Sequence, residues 1–96
     1  MIRHSVAFAL HHEPGSPEET AFLEAADVLA GIPGVERFEK LREVSPKNDF
    51  RFAFAFTFAD DAAYAAYNEH PDHVGFVQGR WVPEVADFLE IDTVAL

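Results

Sequence analysis

The stretch DFRFAFAFTF, Asp49 to Phe58, places phenylalanine at every second position from Phe50 to Phe58. Successive side chains of a strand point to opposite faces, so all five rings fall on one side, with Arg51, Ala53, Ala55 and Thr57 on the other. No helix uses that period. The segment predicts a strand whose aromatic face is buried and whose small-residue face is not covered in the same way.

Working outward, Ile2 to Leu10 repeats the pattern, with Ile2, His4, Val6, Phe8 and Leu10 on one face and Arg3, Ser5, Ala7 and Ala9 on the other. Between these strands, EPGSPEET offers Ser16 as a helix cap, Pro17 at the first helical position and Glu19 three residues after the cap. A helix is expected to about Ala30, ended by the GIPG of Gly31 to Gly34. Val35 to Val44 lacks a clean period, yet its flanking turn residues suit a strand. After Phe58, Asp60 or Asp61 caps a short helix through Tyr67. Pro71 opens a second helix reaching about Gly79 or Trp81, and Val85 to Ala95 reads as a last strand. The order β-α-β-β-α-β is that of an α+β, ferredoxin-like domain spanning residues 1–96, with helices on one face of a four-stranded antiparallel sheet. The other face, carrying Ala7, Ala9, Ala53 and Ala55, suits a second copy of the chain.

Composition narrows the function. Seven Lys and Arg against seventeen Asp and Glu give a formal charge of −10 with His neutral, which repels nucleic acid and anionic membrane surfaces as partners. No cysteine is present, removing thiolate nucleophiles, Cys-ligated zinc and iron–sulfur clusters. His11, His12 and Glu13 are adjacent but diverge at a strand end, so neither a metal nor another cofactor is expected. The start MIRHSVAFAL lacks the continuous apolar run and cleavage site of a signal peptide, and no window approaches a membrane span; a cytoplasmic location is the default expectation.

Three segments carry a family likeness: MIRHSVAFAL at the start, GIPGVERFE after the first helix, and AYNEHPDHVGF after the third strand. Together they resemble the stress-responsive A/B barrel (Dabb) domain family over essentially the whole chain. That resemblance implies a homodimeric α+β barrel. It also implies a small-molecule pocket like that of the olivetolic acid cyclase-type polyketide cyclases, which close a poly-β-keto chain by aldol condensation. The catalytic tyrosine and histidine of those enzymes match Tyr67 and His73, and their first-strand pocket histidine matches His4.

The residues themselves support such chemistry. Pro71 keeps His70 out of a helix and in the turn. His73 then lies in the first turn of the next helix, whose dipole favours a neutral imidazole able to accept a proton, although the adjacent Asp72 favours the imidazolium. Tyr67 can donate its phenolic proton to a carbonyl or enolate oxygen. His4 faces the helix-covered side with Val6 and Phe8, and Phe22, Val74 and Phe76 complete the expected pocket lining. Structural readings stand beside these: His70 as a helix boundary, Tyr67 and His4 as hydrogen-bonded core residues. Two alternatives to a cyclase-like enzyme follow, a non-catalytic stress or interaction protein and a cofactor-independent monooxygenase on the same fold.

Overall fold

A computed structural model describes residues Met1 to Leu96. Strands β1 (Ile2–Leu10), β2 (Arg37–Arg42), β3 (Phe52–Phe58) and β4 (Val85–Thr93) form one antiparallel sheet in the order β2-β3-β1-β4. Helices α1 (Pro17–Ala25), α2 (Asp61–Glu69) and α3 (Pro71–Phe76) connect them. The architecture is the ferredoxin-like one that the alternating patterns predict.

The core follows from the period of two. Val6, Phe8 and Leu10 of β1 and Phe52, Phe54, Phe56 and Phe58 of β3 are buried in one apolar cluster with Phe22, Leu29 and Tyr67. Register pairs Val6 with Phe54 and Phe8 with Phe52, so the two aromatic faces are aligned rather than merely adjacent. Phe50 departs from the ladder. Its backbone N–H donates to Asn48 Oδ1 at 2.9 Å, holding it in the turn before β3 begins. Strand β2 is likewise shorter than the span Val35 to Val44, although Glu36 and Glu43 add a backbone hydrogen bond to β3's neighbourhood at each end.

Helix α1 starts as its capping residues dictate. Ser16 Oγ accepts from the Glu19 N–H at 3.2 Å, and Glu19 Oε1 reaches back to the Gly15 N–H at 3.0 Å. The last turns tighten into a 3₁₀ segment, Ala26–Gly31. Side chains three apart are in line there, which keeps Ala26 and Leu29 on the buried face. Asp60 caps α2 by accepting from the Ala63 N–H at 2.9 Å.

The chain beyond α3 runs further than expected. A π-helical turn, Val77–Trp81, leads into a short α-turn, Val82–Glu84, that contains Pro83. The Val82 N–H reaches back to the Val77 carbonyl, and the opening of the following turn needs no donor from Pro83, so the proline is accommodated. This wider turn directs Trp81 inward, its ring centroid 5.0 Å from Phe8 and 5.7 Å from Phe88.

The opposite face of the sheet has no helix over it. Ser5 lies beside Ala55 and Ile91, and Ala7 beside Ala53 and Leu89, where Leu89 and Ile91 are each 51% exposed. Glu39 sits toward one edge of this face between Arg3 and Arg37, at 3.4 and 3.5 Å. No helix is long and apolar enough to cross a membrane.

Candidate active site

A cavity of about 470 Å³ opens between the sheet and the α2–α3 side, within the range that holds a small organic ligand. Its sheet wall comes from His4, Val6, Phe54 and Phe56, continued by Phe88 and Glu90 of β4. Tyr67, Asn68, His73 and Phe76 face them from α2 and α3, and Trp81 closes one side from the π-turn. The cavity therefore gathers Tyr67, His73 and His4, together with Val6 and Phe76. Phe8 and Phe22 do not line it; both are fully buried in the interface between the sheet and α1, where their rings pack 5.7 Å apart. Val74 points outward from α3 and is 39% exposed.

The break at His70 places His73. His70 takes an extended ψ of 136° before Pro71, and its Nδ1 accepts from the Asp72 N–H at 3.1 Å, so it caps α3. One turn later the His73 ring lies 4.5 Å from that of Tyr67. His73 Nδ1 is 3.0 Å from the carbonyl oxygen of Asn68, which only accepts. The proton is thus on Nδ1, and Nε2 keeps its lone pair.

Burial lowers the affinity of His73 for a second proton. The nearby charge of His4 acts in the same direction, while the Asn68 hydrogen bond and Glu90 oppose it without prevailing. Burial, then, favours the neutral imidazole. Asp72 does not counteract this directly, because its carboxylate is turned toward His70, 3.9 Å from Nδ1. Tyr67 is pushed the other way. Burial, followed by the neighbouring Tyr64 and Glu90, raises its phenol well above the usual tyrosine range, so it stays a proton donor through neutral pH. Burial therefore favours a neutral imidazole beside a protonated phenol on one wall.

Sequence reasoning missed the cluster behind His4. His4 Nδ1 lies 2.6 Å from Asp92 Oδ1, and the Tyr64 hydroxyl donates to Asp92 Oδ2 at 2.9 Å while lying 2.9 Å from the same His4 nitrogen. The carboxylate takes the His4 Nδ1–H, leaving Nε2 as the ring nitrogen without a protein partner. Burial first, and then the Asp92 hydrogen bond and charge, hold the Tyr64 phenol protonated. Tyr64 precedes Tyr67 by one helical turn, a spacing visible in the sequence. Asp92 is placed by the strand register opposite His4, which local patterning does not show.

His11, His12 and Glu13 are not drawn together around a common point. His12 Nε2 instead contacts Glu84 Oε1 at 2.7 Å, and Arg80 Nε lies 3.0 Å from Glu84 Oε2. This cluster braces the turn between α3 and β4.

The sequence model of the Stress Responsive A/B Barrel Domain family matches residues 2–95. The chain belongs to this Dabb family. A Dabb family protein with a ferredoxin-like fold from Mesorhizobium loti is 57% identical over 99% of this chain and 96% of its own, with a TM-score of 0.97. More distant chains share the fold. A dimeric ferredoxin-like protein of unknown function from Thermobifida fusca is 22% identical, covering 98% of this chain and 90% of its own, with a TM-score of 0.79. Hydroxynitrile lyase from Passiflora edulis is 15% identical, covering 99% and 93%, with a TM-score of 0.85. A search of curated proteins found no match.

Proposed function

We propose that this Dabb protein binds a small apolar or aromatic carbonyl compound in the cavity and moves a proton on it without a cofactor. The observation that carries this reading is the pairing of His73, neutral with its Nε2 free, and Tyr67, protonated and 4.5 Å away ring to ring, on the wall of an open apolar cavity. His73 Nε2 takes a proton from the carbon next to a carbonyl. The C–H electron pair moves into the carbonyl to give an enolate, which the Tyr67 O–H stabilises by hydrogen bonding. The imidazolium so formed keeps its Nδ1–H on the Asn68 carbonyl. In an aldol closure the enolate carbon would attack a second carbonyl, and the proton held by His73 would pass to the new alkoxide. A sealed phenylalanine core would have favoured a catalytically silent interaction protein; the open cavity favours a ligand.

The working unit in this reading is a homodimer formed through the uncovered sheet face. Leu89 and Ile91 beside Ala7 and Ala53 supply an apolar surface there, and the fold relative from T. fusca is described as dimeric.

Deuterium exchange at the methyl group of an aryl methyl ketone such as 2-acetylnaphthalene tests the base directly. The wild-type protein should accelerate exchange, and His73→Ala should lose about 10²- to 10⁴-fold of that acceleration while His11→Ala, exposed and outside the cavity, does not. Equal exchange with folded His73→Ala and His11→Ala would remove His73 as the base.

A further inference from the structure

Glu90 is the one carboxylate lining the cavity, and no Lys or Arg lines it. It projects from β4 on the helix-facing side, beside Val6 in the register, two residues after Phe88 on the same wall. No cation lies within ion-pair distance of it. Arg80 lies against Glu84, and Arg3 and Arg37 pair with Glu39 beyond the opposite face. Neither histidine offsets the charge. Burial favours neutral His73, and Asp92 stands against His4 Nδ1, so that any positive charge on that ring already has a carboxylate beside it.

We infer that Glu90 makes the cavity a charge filter: it admits an uncharged carbonyl ligand and rejects the corresponding carboxylate. This rests on the small-molecule reading above and narrows its substrate class to neutral ketones, thioesters and their like. Two groups of the wall, Tyr67 and His73, register the field of Glu90, and so does Tyr64 behind it, since the charge raises all three. An anionic head placed among them would meet that field with no arginine or lysine to balance it. At a separation of several ångströms and an effective dielectric typical of a protein surface, the penalty, after solvent screening, corresponds to about a tenfold loss of affinity.

The chain carries its own reporter, because Trp81 is the single tryptophan and lines the cavity. Quenching of its fluorescence gives Kd for 2-acetylnaphthalene and for 2-naphthoate, a matched neutral and anionic pair, at low ionic strength. The wild-type protein should bind the ketone about tenfold or more tightly than the acid. Glu90→Gln should shrink that ratio by about tenfold, and Glu90→Lys should invert it. Glu13→Gln, which removes the same unit of charge from an exposed loop, should leave the ratio near the wild-type value. Equal affinities for the two ligands in the wild type, or an equal change of ratio in Glu13→Gln and Glu90→Gln, would overturn the filter while leaving ligand binding intact. If neither ligand bound to the wild type or to either Glu90 variant, the small-molecule reading would fall and the filter with it.

Discussion

Asp92→Ala removes an acceptor that serves two donors, His4 Nδ1 at 2.6 Å and the Tyr64 hydroxyl at 2.9 Å. Hydrogen bonds to a charged group contribute about 1.5–3 kcal/mol each. The His4 side chain is only 7% exposed, so water can replace little of what its Nδ1–H loses. Tyr64 remains 2.9 Å from His4 Nδ1 and can accept its proton in part. The net cost is therefore about 2 kcal/mol, near the penalty for one buried donor left poorly satisfied. For a domain of this size that lowers Tm by about 8–16 °C. Urea titration at fixed protein concentration would measure it, with Cm falling at unchanged m. Because Tyr64 and Asp92 act on the same nitrogen, Asp92→Ala and Tyr64→Phe should be non-additive by about 1 kcal/mol in a double-mutant cycle. A loss below about 0.5 kcal/mol for Asp92→Ala, or strict additivity with Tyr64→Phe, would show that the cluster does not hold His4 as described.

Further expectations follow from titration and from the uncovered face. His73 binds its second proton less readily when folded than when unfolded, so the unfolded chain takes up protons first as pH falls. This contribution to stability is complete above about pH 6.5 and is lost as pH drops below it; His73→Gln should flatten the urea-derived stability slope in that window. Tyr67 has the opposite linkage, its phenol raised in the folded state: stability present below about pH 10 is lost as pH rises further, and Tyr67→Phe should reduce the alkaline slope. Ala53→Glu places a charge on the open sheet face beside Ala7 and Leu41, and should shift the sedimentation mass from two chains toward the 10.7 kDa of one. A wild-type mass of one chain at micromolar concentration would remove the dimer altogether.

How far the sequence could be read depended on whether each feature is local. The alternation of Phe52 to Phe58 and Ile2 to Leu10 names both the strands and their buried faces, because the signal repeats within a few residues. The caps at Ser16 and Asp60 and the break before Pro71 are equally local. The π-turn at Val77–Trp81 is not, since it depends on Trp81 packing against Phe8 and Phe88. In the site, Tyr67 and His73 sit on either side of a legible helix break. Asp92 and Glu90 reach the helix-facing side only through the pairing of β4 with β1, a long-range register that no short window encodes. The sequence argument for a neutral His73 rested on the helix dipole, whereas in the folded chain the lowering comes first from burial, which a short window does not show.

The central claim is that His73 is a neutral base with its proton on Nδ1 and Nε2 open to the cavity. Long-range ¹H–¹⁵N correlation spectra of histidine-labelled protein read both points without any substrate. At pH 7 the account predicts a neutral His73 with Nδ1 protonated, held by the Asn68 carbonyl, and a midpoint of titration below 6.5. A His73 that is imidazolium at pH 7, or neutral with the proton on Nε2, would contradict it.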